Sequence, residues 1–120
     1  MSSRRLARVN ELLREEIGEL LLHAMRDPRL SGLISVTEVI TSGDLRHAKV
    51  YVSVLGTEDD KKGAEEALKA AAGFLRRSLA ERVTLRYIPD LSFEIDESIE
   101  RGSRLLQIIK EVVPEQESSD

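Results

Sequence analysis

The sequence predicts an α+β domain with helices packed on one side of a small three-stranded sheet. Three observations carry this. A stripe of apolar residues at helical spacing runs along the N-terminal segment. Two β-rich segments joined by a short turn follow it. An alanine-rich helical stretch then leads into a short alternating run.

Leu6, Val9, Leu13, Ile17, Leu20, Leu21 and Ala24 recur at spacings of three and four, which predicts a helix from Arg4 to Met25. Ser3 is its candidate N-cap, and Asp27-Pro28 closes it. Leu33 to Ile40 and Ala48 to Leu55 read as strands. In the second, Val50, Val52 and Val54 alternate with Lys49, Tyr51 and Ser53, so one face is buried and the other wet. Thr41-Ser42-Gly43-Asp44 between them makes an antiparallel hairpin.

Thr57 caps the next helix, with Glu58, Asp59 and Asp60 suited to its first turn. Its stripe of Ala64, Ala67, Leu68, Ala71, Leu75 and Leu79 continues past Gly73, as one bent helix or as two in sequence, to about Arg82. Phe74 and Phe93 also fit apolar stripes. Val83 to Tyr87 alternates as a strand, Ile88-Pro89 interrupts it, and Leu91, Phe93 and Ile95 resume it. A proline there demands an edge or a bulge. Asp96 or Ser98 caps a last helix from about Ile99 to Val113, leaving 114–120 as a short acidic disordered tail behind a single domain over 1–113.

The 120 residues contain no cysteine, which excludes a disulfide framework and thiolate metal sites. Only two histidines, His23 and His47, are present, so no metal and no cofactor is expected. No apolar run approaches the roughly 18–20 residues of a membrane span. Acidic residues interrupt what would be the apolar stretch of a secretion signal, so a cytoplasmic protein is expected. Net charge is −4, unevenly spread. Lys61 to Phe93 holds seven cations against four anions, and Glu94 to Asp120 three cations against eight anions. A basic middle of this kind can bind a polyanion locally.

Glycine costs about 1 kcal/mol against alanine inside a helix. Gly73, after Ala70-Ala71-Ala72 and before Arg76-Arg77, is therefore expected to bend the helix or admit another backbone. The order of elements is that of a type II KH domain, an RNA-binding fold whose GXXG loop joins two helices. Only one glycine stands at the corresponding joint here.

The resemblance goes further than the fold. Ala71-Ala72-Gly73-Phe74-Leu75-Arg76, then Leu85-Arg86-Tyr87-Ile88-Pro89-Asp90-Leu91-Ser92-Phe93, then Asp96-Glu97-Ser98-Ile99-Glu100-Arg101-Gly102 resemble bacterial ribosome-binding factor A, and Arg8-Val9 and Asp27-Pro28-Arg29 fit as well. The resemblance implies a KH-like fold in which Ala-x-Gly replaces GXXG and kinks the helix pair at Ala71, Ala72 and Gly73. It implies a non-enzymatic assembly factor that binds the immature small (30S) ribosomal subunit and its 16S ribosomal RNA. Support of late rRNA maturation and of growth in the cold, a cytoplasmic location and a monomeric free state follow from the same resemblance.

The residues themselves supply candidates for RNA contact: Arg46 and Lys49 (with His47) at the hairpin, and Lys61, Lys62, Lys69, Arg76, Arg77, Arg82 and Arg86 in the basic middle. Arg4, Arg5 and Arg8 form a cationic N-terminal arm whose position opposes the helix dipole. Few aromatics are available, which favours recognition through RNA shape and backbone. Two other readings compete: a KH-like module that binds only proteins, and a metal enzyme built on Asp90, Glu94, Asp96, Glu97 and Glu100.

Overall fold

The computed structural model of the chain describes residues 3–23 and 33–98. Its elements are α1 (Ser3–His23), β1 (Leu33–Thr41), β2 (His47–Leu55), α2 (Glu58–Arg82) and β3 (Asp90–Ile95). Central β2 pairs antiparallel with β1 and parallel with β3. The α+β class, the three-stranded sheet and the KH-like order are therefore as expected. The expected helix from Ile99 to Val113 and the tail over 114–120 lie outside the described residues.

Ala48, Val50, Val52 and Val54 of β2 are buried, while His47, Lys49 and Leu55 between and beside them are exposed. The buried set joins Leu13 and Ile17 of α1, Leu68, Leu75 and Leu79 of α2 and Phe93 of β3 in one core. Each such side chain stabilises the fold by about 1.5–3 kcal/mol.

In β1, Val36 pairs with Val52 and Glu38 with Tyr51, so Thr37 is an extra residue in a β-bulge. The bulge reverses the alternation and lets both Val36 and Val39 face the core. Thr37 Oγ1 donates to Asp96 Oδ2 at 2.7 Å, tying the bulge to the end of β3.

Four expectations are corrected. Val83 to Tyr87 is not a strand. β2 begins at His47, which pairs with Asp90, so residues 83–87 have no stretch of β2 to pair with. Leu85 and Ile88 instead pack irregularly against the core. Pro89, buried, stands just before edge strand β3, where its missing N–H costs no ladder bond. Second, Ser3 is already helical rather than a cap. Third, α2 is one continuous helix through Gly73, not two in sequence. Its start is capped as expected: Asp60 N–H donates to Thr57 Oγ1 at 3.1 Å and Thr57 N–H to Asp60 Oδ2 at 2.9 Å. Fourth, Phe74 is 42% exposed, unlike Phe93 at 3%.

Candidate nucleic-acid interface

The hairpin loop between β1 and β2 is held from within. Ser42 N–H donates to His47 O at 2.8 Å, and Leu45 N–H to Ser42 O at 2.9 Å. Asp44 Oδ1 accepts from the Ser42 hydroxyl at 2.6 Å and from Arg46 N–H at 3.0 Å. Those two bonds, the hydroxyl's first, hold the Asp44 carboxyl below its usual range. Leu45 has φ 63°, a left-handed conformation that costs a non-glycine residue about 1–2 kcal/mol. Its side chain is buried in the core, which offsets that cost.

The loop places Arg46. Its carbonyl accepts Asp90 N–H at 2.9 Å, so hairpin and β3 fix its backbone together. Its guanidinium lies over the Tyr87 ring, 4.6 Å from the centroid, and that of Arg86 lies 5.8 Å from the same centroid. These groups line a cleft of about 500 Å3 with Arg5 of α1 and the hairpin residues 43–45. The first turn of α1 carries no acid, so Arg5 stands against the helix dipole.

The other predicted cations are not drawn into one patch. Arg76 Nε donates to Ile88 O at 3.0 Å and lies 3.4 Å from Asp90 Oδ1, anchoring the α2–β3 connection. Arg82 Nε donates to Glu16 Oε1 at 2.6 Å and joins α2 to α1. Lys61 is buried, its Nζ 3.7 Å from both Glu58 Oε1 and Glu97 Oε1. Lys49 sits on the wet face of the sheet, 3.6 Å from Glu94 Oε1. Lys62 borders a separate hollow whose lining includes Glu58, Asp59, Glu65, Glu94 and Glu97.

Lys69, Gly73 and Arg77 are all exposed and, at spacings of four, share one line along α2. A methyl group added at Gly73 would meet only Arg77 Nη1, at 3.4 Å. Among the described residues nothing requires glycine there.

Of the five acids proposed for a metal enzyme, Glu100 lies outside the described residues and the other four are occupied differently. Asp90 faces Arg76, Glu94 faces Lys49, Glu97 faces Lys61, and Asp96 accepts from Thr37 and from Ser98 N–H at 2.9 Å. Among the described residues no three His, Asp or Glu side chains converge as metal ligands, and no helix is long and apolar enough to cross a membrane.

Sequence reasoning missed Tyr87 as the centre of the arginine cluster. Its signal was the Arg86-Tyr87 pair just before Ile88-Pro89, an aromatic next to a cation where the chain leaves regular structure.

The comparisons with known proteins agree with one another. The sequence profile of ribosome-binding factor A matches residues 5–109. Ribosome-binding factor A of Acetivibrio thermocellus is 48% identical over 96% of this chain and 94% of its own length. That of Thermosynechococcus vestitus is 44% identical over 99% of this chain and 95% of its own. The crystal structure of ribosome-binding factor A from Thermus thermophilus superposes with a TM-score of 0.69 at 33% identity, covering 78% of this chain and 97% of that one. A homology model of the Thermus thermophilus factor, fitted into an electron microscopy map of its complex with the 30S subunit, superposes at 0.61 with 34% identity over 73% of this chain and 91% of that one. The fold, the profile over nearly the whole described chain and the relatives of equal length leave one assignment: the chain belongs to the ribosome-binding factor A family.

Proposed function

We propose that this protein is a non-enzymatic assembly factor that binds the small ribosomal subunit through its 16S ribosomal RNA. The observation that carries this is family membership, joined to a relative described in complex with the 30S subunit. The Arg46–Tyr87–Arg86 cluster supplies a surface suited to phosphate. Lys69 and Arg77 add two exposed cations along α2, and Gly73 between them lets a backbone come close to the helix. Ala71, Ala72 and Gly73, inside continuous α2, shape that flank by their small size. Arg76, Arg82, Lys61 and Lys49 serve this surface indirectly, by holding the elements that present it.

Support of late rRNA maturation and of growth in the cold, action in the cytoplasm and a monomeric free state belong to the same reading. Co-sedimentation with purified small subunits, mature and immature, across a low-salt range tests it. Association that weakens steeply with salt is expected. Absence of association at every salt concentration overturns it, and crosslinks only to ribosomal proteins would move the contact off RNA.

A further inference from the structure

We propose that the cleft between the N-terminus of α1, the β1–β2 hairpin and the α2–β3 connection holds one unpaired RNA nucleotide. Its phosphate sits on the guanidinium edges of Arg46 and Arg86, and its base stacks on the layer that these make with Tyr87. The proposal rests on the RNA-binding reading above and names the part of the RNA recognised and the residues that recognise it.

The stack itself is the first argument. A guanidinium lying on an aromatic ring uses its face, and its N–H donors all lie in its plane. With Arg46 at 4.6 Å and Arg86 at 5.8 Å from one centroid, two sets of donors are held around a single ring. Two like charges gathered at one ring repel each other, and an anion bound by both relieves that repulsion. The cleft's own carboxylate, Asp44, is engaged by the Ser42 hydroxyl and the Arg46 backbone N–H. That carboxylate stays ionised and offsets one of the two guanidinium charges, and a phosphodiester fits the other.

Size and exposure carry the second argument. The cleft, about 500 Å3, lies in the range of small-molecule sites and exceeds what a phosphate group needs. Tyr87 is 39% exposed, so its ring is open to a ligand. A base inside a double helix cannot enter such a cleft, whereas a splayed-out base stacks on aromatic rings and guanidinium planes alike. The walls are also pre-formed. Leu45 is locked into the core in a left-handed conformation, and Arg46 is bonded to β3, so ordering them on binding has little cost.

The site expected from composition was a backbone reader without stacking. One ring with two arginines changes that at a single position. Stacking of this kind is tolerant of base identity, so the cleft adds grip and register rather than sequence selection.

The test has two arms. In the first, the full-length protein is titrated with adenosine 5′-monophosphate, inorganic phosphate and adenosine while its backbone and Tyr87 ring resonances are followed. Saturable shifts at Arg46, Arg86 and Tyr87 that are stronger with the monophosphate than with either half support the proposal. Phosphate acting as well as the nucleotide reduces the cleft to an anion site and overturns it, as does adenosine acting as well, or no shift at millimolar ligand.

In the second arm, small-subunit affinity is measured for Tyr87→Phe, Tyr87→Ala and Arg86→Gln. Tyr87→Ala is expected to lose about 5- to 150-fold. Tyr87→Phe, which keeps the ring, should stay within about threefold. Arg86→Gln guards against a folding artefact at position 87 and should lose affinity as well. Wild-type affinity in all three variants overturns the proposal and leaves the assembly-factor reading standing. Failure of the wild type to bind subunits sinks that reading, while the nucleotide titration still decides the cleft.

Discussion

At the scale of single residues, two of the three glycines in and just before α2, Gly56 and Gly73, have opposite reasons to exist. Gly56 has φ +151°, and a methyl group there would lie 2.5 Å from Asp60 Oδ2 and 2.9 Å from Asp60 Cβ. Asp60 is half of the capping box, so Gly56→Ala must break the cap or strain the backbone, at a cost of about 1–3 kcal/mol. Gly73 has no such neighbour. Gly73→Ala should stabilise the chain by about 1 kcal/mol, because it removes only a helix-interior glycine. Urea unfolding of both variants checks the pair, and a destabilised Gly73→Ala would show that the fold does need glycine at this position. Thr41 gives a third outcome. Its hydroxyl is buried and has no hydrogen-bond partner among the described residues, while its backbone N–H donates to Asn10 Oδ1 at 2.9 Å. Thr41→Val keeps the shape and the backbone bond and is expected to raise stability by about 1 kcal/mol, read from the same unfolding curves.

At the scale of elements, the hairpin is a polar network around a buried leucine, and its stability follows its acid. The Asp44 carboxyl titrates below its ordinary value of about 4 in the folded chain. Its contribution is therefore complete above that ordinary value and lost as pH falls through the lowered folded one. The stability gap between wild type and Asp44→Ala should be widest near neutrality and shrink on acidification, as followed by denaturant unfolding at a series of pH values. A gap that stays constant would mean that the hydrogen bonds form equally well with the protonated acid. Much of this architecture was legible in the sequence, because the stripes of α1 and α2 and the alternation of β2 repeat over many residues. What was not legible depended on partners far along the chain. The bulge at Thr37 is defined only against β2, and the start of β3 only by where β2 begins. The cluster at the cleft is the same case: Arg5, Arg46 and Arg86 stand on three elements, and no local spacing joins them. Charge counting along the chain grouped Arg76, Arg82 and Lys61 with the binding set, although the fold spends them on Ile88, Glu16 and Glu97.

At the scale of the whole molecule, β2 runs from His47, just after Arg46, to Leu55, just before Gly56, and α2 returns; the two ends of the described fold differ in charge. Arg5, Arg46 and Arg86 gather at the hairpin end. Glu58, Asp59, Glu65, Glu94 and Glu97 gather around Lys61 and Lys62 at the other, where the first of them also suit the N-terminus of α2. A net charge of −4 thus hides a polar body, and long-range forces should turn the basic end toward a polyanion before contact. Reversal of charge at each end separates this from a diffuse attraction. Arg46→Glu with Arg86→Glu removes two phosphate contacts at the basic end, so the dependence of log affinity for small subunits on log salt should flatten by about 1.4–1.8. Lys62→Glu changes the charge by half as much at the acidic end and should leave that slope within error, because a phosphate there would face five carboxylates. Binding isotherms at several salt concentrations measure both. A flattening caused by Lys62→Glu as large as that of the double variant would place the RNA along the N-terminal half of α2 and take the basic end out of the contact.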